Sequence, residues 1–251
     1  MSKKMLSDIA GYENAAFLVK FVQQQFLDSL LDGNLYMNTF KYFIDLEKET
    51  NLKGVGDKLE VAHVVRTTNI QIIDPETNQV IANAGAGEMI ERYNVMQKLP
   101  LFCFAKFKAD QFVVVEENNE SVAVKLDLSQ EDQTAFLETF GDIAVLLPND
   151  FIDKVEHALQ QQGTEAAFGE VQYLDFNYRD SKRYKEFEDK SLNILFWKDN
   201  FFNYQREARI VITNKLVENS FILNIGDIRD KALVINAKEF LTEAEFSYPK
   251  H

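Results

Sequence analysis

The sequence predicts an α+β fold of mixed, mostly antiparallel sheets with flanking helices. Two observations carry this. Short apolar runs with partial two-residue alternation outnumber helical ones and often follow one another across turn residues, as with Phe112–Val115 and Val122–Leu128 around the acidic turn 116–120. Helical periodicity is confined to a few stretches, without a regular strand–helix alternation. There is no internal repeat and no low-complexity linker, so 1–251 reads as a single α+β domain.

Taken in order, Ala15–Phe21 is short, apolar and bounded by polar residues, which suits a strand. Val22, Phe26, Leu27, Leu30 and Leu31 recur at helical spacing, and Asp32-Gly33-Asn34 ends that helix, with Gly33 suited to a left-handed cap. Leu35–Asn38 reads as a strand and Phe40–Glu49 as a short helix. Asn51–Lys58, with two glycines, reads as a flexible loop. Leu59–Ile73 reads as one or two strands, and Val80–Ala82 returns after the turn at 74–78. Leu99–Phe107 is a strong strand, expected to be central. Ser129 opens a helix that runs to about Phe140, Ile143–Leu147 is a strand, and a helix covers 151–162 up to Gly163. Val171–Tyr178 alternates as a strand and 184–195 reads as helical. Strands follow at 206–213, 221–225 and 232–235, then a short helix at 236–240, and the tail after Thr242 is expected to fray.

Composition narrows the function classes. Hydrophobic residues make up 46% and charged residues 27%, ordinary for a globular core, and the 21 Phe predict one packed with flat side chains. The net charge of −13 repels phosphate backbones, so free nucleic acid is not an expected partner. The only short basic cluster, Lys182, Arg183 and Lys185, reads as a solvated loop. The single Cys103 excludes a disulfide within the chain, and the three His have no metal-ligand spacing, so no metal is expected. No apolar run approaches the roughly 18 residues that span a bilayer, and the N-terminus lacks a signal-peptide core; a cytoplasmic location is expected.

The densest chemistry lies in 196–213, where five aromatics precede Gln205-Arg206-Glu207-Ala208-Arg209 and an alternating run. On a strand, Gln205, Glu207 and Arg209 share a face. Arg209 would hold Glu207 ionised, and Gln205 could donate to a substrate oxygen. A structural salt bridge at a sheet edge is the other reading. The aromatics themselves, Phe196, Trp197, Phe201, Phe202 and Tyr204, also read as core. A second group, Asp57, Glu60 and His63, has metal-ligand chemistry but no further ligand. Asp227, Arg229 and Asp230 read as a turn.

The opening strand Phe17–Phe21, the helix, and Gly33 before the strand Leu35–Asn38 resemble the start of ADP-ribosyltransferase-like folds. Gln205-x-Glu207 is similar to that superfamily's Gln/Glu-x-Glu pattern. The segments Gly33–Glu47 and Phe196–Ile210 also resemble a group of bacterial and phage proteins. The resemblance implies an enzyme acting on NAD or a related nucleotide, a transferase or glycohydrolase in phage–host conflict. Glu207 would be the catalytic carboxylate stabilising an oxocarbenium-like ribose, with Gln205 and Arg209 beside it. Tyr36, Phe40 or Phe43 would stack on nicotinamide. Lys20 stands where the family has His or Arg on its first strand, and Leu101–Phe107 lacks the family's middle-strand Ser or Tyr. The alternative is a non-catalytic acidic binding protein that sequesters a host protein or a small nucleotide, as phage-encoded inhibitors do.

Overall fold

A computed structural model describes residues 3–250. Its largest sheet has eight strands, in the order Ala166–Glu170, Glu207–Ile212, Pro100–Lys108, Ala16–Val22, Ile143–Leu146 and Leu233–Asn236. Asn34–Thr39 joins the Pro100 end of the central strand and carries Ser220–Asn224 on its other side. All of these pairings are antiparallel. The fold is therefore α+β with mostly antiparallel sheets, as the turn-linked strand runs predict.

The central strand 100–108 is apolar on both faces because both are covered. On one face Phe102 and Phe104 pack with Ala208, Ile210 and the helix Phe151–Gln161. On the other, Ala105 and Phe107 meet the helices Gln130–Thr139 and Ala237–Thr242, while Leu101 meets the helix Phe40–Thr50 and the segment 194–197. The cap signals act as expected. Gly33 has φ +81°, and its missing Cβ admits the Gly226 carbonyl, which would stand 2.0 Å from one. The Ser129 hydroxyl accepts a 3.0 Å bond from the Asp132 N–H.

Several expectations are corrected. The strand at 171–178 shrinks to Gln172–Leu174. Its neighbour Ala166–Glu170, rich in small residues and glycine, forms an edge strand because Glu207–Ile212 supplies the ladder. The helix at 184–195 is instead Ser181–Glu188 followed by a 3₁₀ turn, Leu192–Phe196. The tail is not frayed: Glu245–Pro249 pairs with Ser121–Leu126, and Phe246 and Tyr248 pack on the core. The basic cluster sits on a helix, where Arg183 is buried over the Phe176 ring and donates to the Tyr178 carbonyl at 2.8 Å. No described helix is long and apolar enough to cross a membrane.

Candidate functional site: a buried ion network around Glu207

Glu207 opens the strand Glu207–Ile212, and Arg209 lies two residues on, so both side chains share a face. Gln205 is not on that strand. It ends a 3₁₀ segment, and Arg206 in the left-handed region (φ +46°) turns the chain into the sheet. The three side chains converge nonetheless. Arg209 Nε donates to Glu207 Oε1 at 2.6 Å, and Lys198 Nζ bonds Glu207 Oε2 at 2.6 Å and Gln205 Oε1 at 2.8 Å. The Glu207 N–H donates to the Tyr173 hydroxyl at 2.7 Å.

The network extends to Glu60. Arg209 forks onto both of its oxygens, at 2.9 and 2.5 Å, and reaches the Leu195 carbonyl at 2.9 Å; Lys198 lies 3.8 Å from Glu60. The whole network is buried, and the Glu207 side chain is 7% exposed. Burial alone would push the Glu207 carboxyl up, but the charges of Arg209 and Lys198, with hydrogen bonds from Arg209 and the Cys103 thiol, outweigh it and hold the group well below the usual carboxylate range. Lys198 is raised for the converse reason: burial opposes its charge, and Glu207 and Glu60 more than offset that.

Asp57 lies behind these groups, buried, with Oδ2 unpartnered and Oδ1 accepting from the Leu59 N–H at 2.8 Å. Burial and then Glu60 raise its carboxyl to about 7. A count of charges gives the same direction. Glu60 and Glu207 already balance Lys198 and Arg209, so an ionised Asp57 would leave a net negative charge in the interior, offset in part by Arg92 near the rim.

The loop 51–58 is not free, contrary to expectation. Gly54 and Gly56 are buried; a Cβ on Gly56 would lie 2.6 Å from the Glu47 nitrogen, so only glycine lets the loop lie on the helix Phe40–Thr50. Gln205 Nε2 donates to the Gly54 carbonyl at 2.9 Å, and Lys53 stands over the Phe201 ring at 4.8 Å. The Gln205 amide is thus engaged at both ends.

Other candidates lie elsewhere. Ala105 pairs with both Val19 and Glu207, so those two share a face and Lys20 points to the opposite one. There the Lys20 ammonium lies 4.6 Å over Phe102 and donates to the Cys103 carbonyl at 2.6 Å; burial lowers its pKa. Tyr36 is 55% exposed and pairs with Ile222. Leu101 pairs with Val211 on one side and with Asn38 on the other, so the strand that carries Tyr36 lies across the central strand from the one that carries Glu207. Phe43 is half-buried near the loop, and its carbonyl accepts from the Asp57 N–H. His63 is buried beside Phe187 and Tyr184, away from a ligand geometry, and Glu60 has both oxygens on Arg209. Two surface hollows of about 470 and 580 Å³ border His157 on the helix Phe151–Gln161, across the sheet from Glu207.

The carboxylate meant for the ribose is already bonded to two cations, and neither Lys20 nor Tyr36 adjoins it. Sequence reasoning missed Lys198. Its signal was a lone lysine inside Leu195-Phe196-Trp197-Lys198, where burial demands an acidic partner. No protein-family model matches the chain, and neither does any curated protein or solved structure.

Proposed function

We infer that the chain is a non-catalytic, acidic binding protein whose Glu207 network is a structural clamp. The observation that supports this reading is saturation: Arg209 holds Oε1 of Glu207 and Lys198 holds Oε2, inside a buried seam. A cationic ribose could reach the carboxylate only by displacing a buried ammonium, which leaves Lys198 uncompensated. The net charge of −13 suits a partner with basic surface.

The second reading is the NAD- or nucleotide-acting transferase or glycohydrolase of ADP-ribosyltransferase-like type, with Glu207 catalytic. It is favoured by the rigid, ionised Glu207 beside Gln205, the charge state that such chemistry needs.

One experiment separates them. The purified protein is incubated with NAD and related nucleotides, and the products are read by mass spectrometry beside Glu207→Gln and Lys198→Met. The binding reading expects no turnover by the parent chain and a stability loss in both variants. Nicotinamide release that disappears in Glu207→Gln, measured where that variant is still folded, would overturn it in favour of the transferase.

A further inference from the structure

Residues 62–92 form a two-stranded ribbon. Ala62–Thr67 pairs with Gly87–Arg92, and further out Ile70–Ile73 pairs with Val80–Ala84. The base is anchored, since Ala62 and Val64 are buried in the core. The outer half is mostly exposed among the described residues. Every residue from 75 to 86 is exposed, including Ile81 at 66%, and on the facing strand Ile72 is 54% exposed. Among the described residues its two strands pair only with each other, so each presents an open edge of N–H and C=O groups. An isolated two-stranded hairpin is marginal in water. Natural edges are usually blunted by lysine, other charges or proline. Ile70–Ile73 and Val80–Ala84 contain none of these; the charges of the tip, Asp74 and Glu76, are confined to the turn.

We propose that this arm joins two copies of the chain, by antiparallel pairing of Val80–Ala84 with itself about a two-fold axis at Ala82. Charge is the first argument for a second copy as the occupant. Each copy carries −13, so close approach of two copies is least opposed at an uncharged surface, and these strands provide one. The register is the second. Self-pairing centred on residue 82 sets each Val80 against the other copy's position 84 and each Ile81 against position 83. The smallest side chain of the strand's middle then falls on the axis, where identical residues meet. The third is what the pairing completes. Ile70 lies opposite Ala84 and Ile72 opposite Ala82, so one face of each hairpin is apolar. Two hairpins then make a four-stranded sheet with a continuous apolar face, which a single hairpin lacks.

Sedimentation velocity of the full chain over a wide range of micromolar concentrations tests this. The expected species is a dimer of 29.0 kDa chains. Ala82→Lys opposes two ammonium groups across the axis and should weaken association at least ten-fold. Its position is exposed, so its circular dichroism should match that of the parent. Ala82→Cys should give a disulfide-linked dimer on mild oxidation, while Thr77→Cys in the turn should not. A parent chain that stays monomeric at every concentration overturns the proposal. So does a dimer that Ala82→Lys leaves intact, or cross-linking equally efficient at 77 and 82.

Discussion

Replacing Arg209 by Met tests whether the ion network holds the sheet to the segment that carries Glu60. The guanidinium makes four bonds, to Glu207, to both oxygens of Glu60 and to the Leu195 carbonyl. Methionine fills similar volume without them. Two buried carboxylates would then share one lysine, and a buried charge left without its partner costs about 3–5 kcal/mol. For a chain of this length that is a fall in Tm of about 6–20 °C. Trp197 is the only tryptophan, is 1% exposed and precedes Lys198, so its fluorescence reports unfolding from within the network. The assay is urea denaturation followed by that emission. The double variant Glu60→Gln with Arg209→Met leaves Glu207 and Lys198 matched one to one. It should recover part of the loss, with a coupling of about 1–3 kcal/mol. A loss below about 1 kcal/mol for Arg209→Met, the size of an exposed pair, would refute the reasoning.

Asp57 makes stability depend on pH with an unusual sign. Its folded pKa, about 7, lies above the value near 4 of an unfolded aspartate, so the folded state keeps a proton that the unfolded state has lost. Stability from this group is present below about pH 4 and is lost as pH rises to 7, with a slope approaching 1.4 kcal/mol per unit at about pH 5–6. Asp57→Asn should flatten that slope in denaturation series across pH, and an unchanged slope would count against it. The two buried lysines should differ: Lys198→Met costs about 3–5 kcal/mol, because it leaves Glu207 underpaired. Lys20→Met, across the sheet, removes a bond to a carbonyl and a contact over Phe102 but leaves no carboxylate unpaired, and costs about 1–2 kcal/mol. Equal losses in urea denaturation would contradict the assignment of Lys198 to Glu207. Gly33→Ala should destabilise by at least about 2 kcal/mol, since a Cβ there meets both a left-handed φ and the Gly226 carbonyl, and a thermal melt shows it.

Much of the fold was legible because local signals and packing agree. The helix at 24–31 ends at the glycine that its pattern requires, the helix at 130–139 starts after its Ser129 cap, and the uniformly apolar run around Cys103 is the central strand. The errors fall where long-range partners decide. Ala166–Glu170 has no strand propensity of its own, and Glu245–Pro249 looks like a loose end until Ser121–Leu126 pairs with it.

The sequence by itself determined that Glu207 and Arg209 lie on one face, because residues two apart on a strand must. It also determined that the chain is acidic, largely antiparallel and rich in buried phenylalanine. Only the tertiary structure decided what those charges meet. Glu60 and Lys198 reach Glu207 and Arg209 from segments 147 and nine residues away, counted from Glu207, and Lys20 is turned to the opposite face by the parity of a strand pairing. Strand parity and burial are set by which segments pair, and that choice is made by the packing of the whole chain rather than by any residue's neighbours in sequence.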